Sequence, residues 1–241
     1  MGLNLTIDQG NSSAKIAVWD GSELVDQEES KQLTPQQLQS VTERFRPERA
    51  LCCSVTGNGK KIARLLISQG VKAREVSHDM PMPLKIDYAT PHTLGEDRIA
   101  AAVGAWSLFP GENSLVVDMG TAVTYDLVSA DGHFKGGNIA PGIGMRLRSL
   151  HSFTARLPEV GGYGDTPLLG TDTATAMRAG AVRGVVGEIA YYRAMLPADT
   201  RIVLTGGWAH RVNEFLDFEA TVDPCLVTKG LLSILLYNEN K

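Results

Sequence analysis

Short apolar runs alternate with polar residues along the chain, and the two periods predict both strands and helices. Leu3, Leu5 and Ile7 alternate with polar neighbours, which predicts a core strand, and a second strand follows at residues 15–19. Apolar residues then recur at helical spacing over residues 34–45, behind Thr34 as N-cap and with a proline at the first helical position.

A glycine-rich stretch at 57–60 follows a short buried strand predicted at 49–55, and an amphipathic helix continues from it. The stretch has some likeness to a phosphate loop, but it lacks the spacing and the terminal Lys-Ser/Thr pair of a Walker motif. We therefore interpret it as a strand-to-helix turn. Residues 79–95 carry three prolines and no helical period, so they are predicted to form a long irregular loop of the kind that often carries function.

One polar loop occurs twice. Asp8-Gln9-Gly10-Asn11 and Asp118-Met119-Gly120-Thr121 each follow an apolar strand and precede a second strand that ends in Asp-Gly. The two copies are 110 residues apart, nearly half the chain, which is too long for a solenoid repeat. The repetition predicts a duplicated domain with two similar lobes.

The residue types in these loops fit anion binding. A glycine lets the turn tighten and lets backbone N–H groups approach an anion. Asp8 and Asp118 cannot bind phosphate themselves, but they could hold Mg²⁺, its waters or a monovalent cation beside a phosphate. The alternative is a pair of plain hairpins whose aspartates satisfy the turn backbone.

Asp97 lies where a helical period begins, because Ile99, Val103 and Trp106 recur at helical spacing after it. Two interpretations stay open: Asp97 is the N-cap of that helix, or its carboxylate faces a substrate and accepts a proton from an attacking hydroxyl. Arg98 could likewise bind an anion or form a surface ion pair.

Two glycine clusters in the second half leave their roles open. Residues 136–144 precede a helix with Arg146 and Arg148, which suits either an anion site or a tight crossover. Residues 205–207 end a strand, which suits either contact with a flat ring or sugar, or a turn between strand and helix.

Composition excludes several classes of protein. The chain has 241 residues, a formal net charge of −4 and no basic run, which argues against nucleic acid as the main partner. Its three cysteines and five histidines show neither a disulfide framework nor zinc-ligand spacing. We expect no membrane association, because there is no signal peptide and no apolar run of membrane-spanning length, and we expect a cytoplasmic location.

Four motifs together resemble the type III pantothenate kinases of the acetate- and sugar-kinase/actin superfamily. The residues that carry the resemblance, which covers nearly the whole chain, are Asp8-Gln9-Gly10-Asn11, Gly95-Glu96-Asp97-Arg98, Asp118 to Thr124, and Gly136 to Gly142. One departure is Ser12, where the family usually has threonine; the hydroxyl is kept and a methyl is lost.

The resemblance implies an α/β fold of two duplicated actin-like (ribonuclease H-like) lobes, each a mixed five-stranded sheet flanked by helices. The lobes would span residues 1–112 and 113–241. It also implies a homodimer that phosphorylates pantothenate with ATP, the first step of coenzyme A biosynthesis, using Mg²⁺ and a monovalent cation, K⁺ or NH₄⁺.

The resemblance further implies roles for single residues. Asp97 would be the catalytic base and Asp118 would bind the monovalent cation. The residues implied to bind ATP are Asp8, Gln9, Gly10, Asn11, Ser12, Ser13, Ala14, Lys15 and Thr121. The residues implied to bind pantothenate are Tyr88, Gly95, Glu96, Asp97, Arg98 and Thr173.

Two other functions stay open from the sequence. One is a non-catalytic, nucleotide-binding accessory or regulatory protein of the same fold; the intact Asp97 and Asp118 and the missing DNA-binding extension argue against it. The other is a kinase for a different small hydroxyl compound, since substrate choice would rest on the 79–95 loop and the surroundings of Thr173.

Overall fold

The computed structural model describes residues 2–239, which contain eleven strands and seven α-helices. The strands are β1 (Asn4–Gln9), β2 (Ala14–Asp20), β3 (Glu23–Ser30), β4 (Arg49–Ser54), β5 (Lys72–Glu75), β6 (Lys85–Ile86), β7 (Ser114–Met119), β8 (Ala122–Val128), β9 (His133–Pro141), β10 (Arg201–Thr205) and β11 (Thr221–Val222). The helices are α1 (Pro35–Phe45), α2 (Gly59–Ser68), α3 (Glu96–Leu108), α4 (Ile143–Ser152), α5 (Thr173–Met195), α6 (Ala209–Asn213) and α7 (Leu226–Glu239).

Internal contacts divide the chain into two compact units. Unit 1 comprises residues 1–111, 128–135 and 225–241, and unit 2 comprises residues 112–127 and 136–224. The lobe boundary between residues 112 and 113 stays a prediction. The contacts group the end of the chain with its beginning, because α7 packs on elements of unit 1.

The sheet of unit 1 has the strand order β3-β2-β1-β4-β5. Strand β2 is antiparallel to both β1 and β3, while β4 is parallel to β1 and to β5. One face of the sheet packs on α1 and α2 through fully buried aliphatic side chains, including Leu5, Ile7, Leu38 and Leu66. The parallel strands β1, β4 and β5 bring their carboxyl ends to one edge of the sheet.

The second sheet has six strands, in the order β11-β10-β7-β8-β9-β6, and not the predicted five. Five of them repeat the strand order of the first sheet, as β9-β8-β7-β10-β11. Strand β10 is parallel to both β7 and β11, as β4 is to β1 and β5. The short strand β6 pairs in parallel with His133 and Phe134 at the start of β9, a part of β9 that belongs to unit 1. The predicted duplication and the α/β class with two helix-flanked sheets are therefore confirmed.

Two helices of unit 1 pack unusually closely. A Cβ added to Gly230 of α7 would lie 1.8 Å from the carbonyl oxygen of Ala100 in α3, and one added to Gly104 of α3 would lie 2.3 Å from that of Leu226. Both glycines are therefore required by the close approach of the two backbones. The contact holds α3, and the residues at its amino terminus, firmly against the rest of unit 1.

Candidate active site

The first polar loop lies at the carboxyl edge of the sheet of unit 1. Asp8 and Gln9 are the last residues of β1, and the N–H of Gly10 closes the following turn on the carbonyl of Ser13 at 2.9 Å. In the sheet register, Asp8 has Lys15 on one side and Cys53 on the other. Ligands of open α/β sheets bind outside the carboxyl ends of strands, so the loop has a suitable position.

The carboxyl group of Asp8 is held in a site that disfavours its charge. Burial is the main cause that raises its pKa to about 6, and the negative charges of Asp97 and Glu29 act in the same direction. The Cys53 thiol donates a hydrogen bond to Oδ1 at 3.4 Å and, with the charge of Lys15, partly offsets this effect. Asp8 and Asp97, far apart in sequence, are therefore electrostatic neighbours in unit 1.

Asp97 occupies the first turn of α3, whose N-cap is Gly95, so Asp97 is not the N-cap. Its Oδ1 accepts a hydrogen bond from the backbone N–H of Arg98 at 2.9 Å, which fixes one carboxylate oxygen and leaves the other for a ligand. Burial, followed by the charges of Glu75 and Asp97, raises the pKa of the adjacent Glu96 to about 7. The amino terminus of α3 thus concentrates carboxylates near Asp8.

Two predicted substrate residues, Tyr88 and Arg98, lie together around Phe134. The buried Arg98 guanidinium is 5.8 Å from the ring centre of Tyr88 and 5.7 Å from that of Phe134, distances typical of cation–π contacts. The two rings meet edge to face at 6.1 Å. Phe134 was not identified from the sequence, where it is a single aromatic residue before the Gly136-Gly137 pair.

The residue before Tyr88 fixes this part of the 79–95 loop. Asp87 accepts hydrogen bonds from Nδ1 of His133 and from Nζ of Lys135, both at 2.8 Å, and these two bonds lower its pKa. The backbone N–H of Asp87 also donates to the carbonyl of Phe134 at 3.0 Å. The sequence analysis did not predict the contacts of Asp87 with His133 and Lys135, because residues so far apart in the chain leave no local pattern.

The second polar loop is packed by glycines in unit 2. A Cβ on Gly206 would lie 2.5 Å from Oδ1 of Asp118, and a Cβ on Gly142 would lie 2.4 Å from the carbonyl oxygens of Gly120 and Thr121. The N–H of Gly142 donates to the Thr121 carbonyl at 3.0 Å. Gly142 thus permits the close approach of the turn after β9 to the second loop, and Gly206, with a φ of 85°, lies in the turn from β10 towards α6.

Arg146 is committed to an internal ion pair. Its guanidinium contacts both carboxylate oxygens of Glu188 at 2.7 and 2.8 Å, and its Nε donates to the carbonyl of Pro141 at 2.7 Å. Tyr125 donates to the same carboxylate at 2.5 Å. This network holds the backbone at Pro141, next to Gly142, which in turn packs against the second loop.

The remaining predicted residues differ in exposure. Asn11 and Ser12 are exposed, Ser13, Lys15 and Gly95 are partly buried, and Ala14 is buried. Thr173 is exposed at the start of α5 in unit 2, where Asp172 is the N-cap. The structure therefore gathers the predicted residues into a group in unit 1 and a group in unit 2: Asp8 to Lys15, Tyr88 and Gly95 to Arg98 in the first, and Asp118, Thr121 and Thr173 in the second.

The side chains give no sign of a transition-metal site. Within residues 2–239, no three His, Cys, Asp or Glu side chains form a group that could hold a metal ion, and all three cysteines are free thiols. Among the same residues, no helix combines the length and apolar character that a membrane crossing requires. Mg²⁺ needs only one or two protein carboxylates when phosphate oxygens complete its shell, and Asp8 at the end of β1 fits that requirement.

Comparison with known proteins identifies close relatives over the full chain. The family model for type III pantothenate kinase matches residues 4–194. A type III pantothenate kinase of Phocaeicola vulgatus is 40% identical over 240 residues, which cover 98% of this chain and 99% of that protein.

Two solved structures share the fold. A protein of Campylobacter jejuni assigned to the Baf family of transcriptional activators has a TM-score of 0.67 at 23% identity, covering 98% of this chain and 100% of its own. Component A of the (R)-2-hydroxyglutaryl-CoA dehydratase of Acidaminococcus fermentans has a TM-score of 0.58 at 17% identity, covering 100% and 98%.

The raised pKa of Glu96 predicts a pH-dependent stability effect. The folded protein binds the proton of Glu96 more tightly than the unfolded chain does, so stability is lost as the pH rises from the ordinary value of 4.5 through about 7. Glu96→Gln, which mimics the protonated form, should stabilise the protein at pH 8 by about 1 kcal/mol after screening by solvent, and by less at pH 5. Thermal unfolding at both pH values measures the difference.

The exposed Glu43 of α1 provides the control. Glu43→Gln should change the unfolding midpoint by a similar small amount at both pH values. An equal effect of Glu96→Gln at pH 5 and pH 8 would contradict the electrostatic origin.

Proposed function

The chain belongs to the type III pantothenate kinase family, and on that premise we propose that it transfers the γ-phosphoryl group of ATP to the hydroxyl of pantothenate. The products are ADP and 4′-phosphopantothenate, so the reaction is the first step of coenzyme A biosynthesis. The observation that carries the proposal is the similarity of nearly the whole chain to type III pantothenate kinases, and the electrostatic interaction between Asp8 and Asp97 in unit 1 agrees with it. A purely accessory role is not favoured, since the curated relatives over the full length are named as kinases.

Asp97 is the proposed general base. Its Oδ1 is held by the N–H of Arg98, so Oδ2 can accept the proton as the pantothenate hydroxyl attacks the γ-phosphorus and the bond to the bridging oxygen of ADP breaks. Positioning and charge stabilisation supply most of the rate in such a transfer. Tyr88, Gly95, Glu96, Arg98 and Thr173 are proposed to bind pantothenate, and Arg98 is rigidly placed for this by its contacts with Tyr88 and Phe134.

The nucleotide is proposed to bind along residues 8–15 and at Thr121. Each loop offers backbone N–H groups beside a glycine, and the neutral side chains of residues 11–13 add donors without repelling phosphate. Mg²⁺, when bound, would neutralise charge on the transferred phosphoryl group. In this interpretation the cation would add to the charge of Lys15 in offsetting the burial of Asp8.

The base assignment predicts the effect of one substitution. Asp97→Asn keeps the size of the side chain but cannot accept the proton, so kcat should fall by about 10²–10⁴-fold. Purified protein with ATP, Mg²⁺, K⁺ and pantothenate, followed by mass spectrometry, measures formation of phosphopantothenate and ADP. Asp20→Asn, at an exposed Asp-Gly turn, should retain activity. An inactive wild-type protein would contradict the proposed function, and an active Asp97→Asn would contradict only the base.

A monovalent cation, K⁺ or NH₄⁺, is proposed to bind at Asp118. The support is the placement of this carboxylate at the carboxyl end of β7, against the backbone of a turn that has no side chain at Gly206. Asp118→Asn should therefore need about tenfold more K⁺ for half-maximal rate, because a neutral amide attracts the cation less strongly. The exposed Asp217→Asn serves as control, and an unchanged K⁺ dependence of Asp118→Asn would argue against the site.

A cytoplasmic homodimer is the proposed working form. Unit 2 exposes several large apolar side chains, among them Ile139 at 65%, Phe153 at 88%, and Leu168, Leu169 and Met195 between these values. Exposed apolar surface of this kind is typical of interfaces. Sedimentation equilibrium should give twice the mass of the chain. A monomer that stays fully active at high dilution would contradict the homodimer as the working form.

A further inference from the structure

The side chain of Gln9 in the first polar loop is held by the turn that follows β4. Its Oε1 accepts a hydrogen bond from the hydroxyl of Ser54 at 2.9 Å, and the hydroxyl of Thr56 lies within donating distance at 3.3 Å. The two hydroxyls are 2.9 Å apart. The main chain is linked as well, since the N–H of Val55 donates to the carbonyl of Gln9 at 3.1 Å. These contacts follow from the parallel register, which pairs Gln9 with Ser54.

Asn58 orients the two hydroxyls. Its backbone N–H donates to Oγ of Ser54 at 3.3 Å, and its side-chain Nδ2 donates to Oγ1 of Thr56 at 2.9 Å. The oxygen of each hydroxyl accepts a hydrogen bond from Asn58, so the hydrogen of each hydroxyl is free to point to another acceptor. Oε1 of Gln9 lies within reach of both hydroxyls and can only accept. Gly57, with a φ of 73°, gives the backbone the left-handed turn that brings Asn58 back over residues 54 and 56.

The side chain of Asn58 makes these contacts instead of capping the helix that follows. Asn58 is the N-cap residue of α2, and asparagine at that position normally accepts a hydrogen bond from the first turn of the helix. Here the side chain makes no capping hydrogen bond and instead donates to Thr56. The hydrogen bonds of Asn58 therefore orient the hydroxyls that hold Gln9 and do not stabilise the amino terminus of α2.

We propose that Ser54 and Thr56 are positioning residues that act on ATP through Gln9. An amide side chain can present either its oxygen or its NH₂ group, and only the NH₂ group attracts a phosphate oxygen. With Oε1 occupied by the two hydroxyls, the group that remains for a ligand is the NH₂ donor. The proposal rests on the proposed function, in which residues 8–15 bind the phosphates of ATP. The glycine-rich turn thus contributes to phosphate binding without touching phosphate.

The test is a cycle of variants that separates an effect through Gln9 from a general structural effect. The first variant combines Ser54→Ala and Thr56→Val, which remove both hydroxyls and keep the side chains close in size. The second is Gln9→Met, and the third contains all three substitutions. Steady-state kinetics give kcat and the KM values for ATP and for pantothenate, and thermal unfolding identifies any variant that fails to fold.

Removal of the two hydroxyls should raise the KM for ATP about five- to tenfold, as expected for lost hydrogen bonds, and leave the KM for pantothenate unchanged. Thr56→Ser, which keeps the hydroxyl, should behave as the wild type. In the Gln9→Met background the same removal should have no further effect, because residues that act through one group are not additive. Ser68→Ala, whose hydroxyl donates only to the carbonyl of Leu65, is the matched control and should leave all constants unchanged.

Three outcomes would overturn the proposal: an unchanged KM for ATP in the two-hydroxyl variant, an equal rise in both KM values, or full additivity with Gln9→Met. Each of these presupposes an active wild-type enzyme. Absence of activity in the wild type would instead contradict the proposed function itself, so the two failures are distinguishable.

Discussion

Burial of carboxylates at one edge of the first sheet, to which their mutual repulsion adds, is the constraint on which the arrangement of unit 1 depends. Asp8, at the end of β1, and Glu96, at the start of α3, both have raised pKa values, and for both the charge of Asp97 contributes. Such a group of acids lowers stability in the absence of a ligand, and perturbed carboxylates of this kind are typical of functional sites. In the proposed function, a Mg²⁺ ion bound beside Asp8 would supply positive charge at this edge and offset that cost.

Two neighbouring residues partly offset the cost of the buried Asp8 carboxylate. The thiol of Cys53 donates to Asp8, and Lys15 lies across the hairpin from it. Unit 2 repeats the strand order, but the surroundings of its polar loop differ. Backbone atoms at Gly206 and Gly142 pack closely against the loop at Asp118. One topology therefore supports a loop rich in charge and a loop rich in close backbone contacts.

Sequence reasoning recovered the features that leave a local pattern. The two loops, the duplication and the capped helix after Thr34 are short-range signals, and the structure has them, including the reciprocal bonds between Thr34 and Gln37. It could not recover contacts set by sheet register or by packing across the chain. Phe134 beneath Arg98, Lys135 on Asp87 and Cys53 on Asp8 depend on residues 36 to 48 positions apart. Periodicity alone left open whether Asp97 is the N-cap of α3, and the structure gives Gly95 that position.

The packing of α7 on α3 has a consequence for how the protein is made. Helix α3 carries Glu96, Asp97 and Arg98 at its amino terminus, and Gly230 of α7 meets it backbone to backbone. In the order of synthesis, α7 follows all of unit 2. During translation the face of α3 that α7 covers therefore stays open until residues 226–239 have emerged, so the core of unit 1 is completed only after unit 2 has been made.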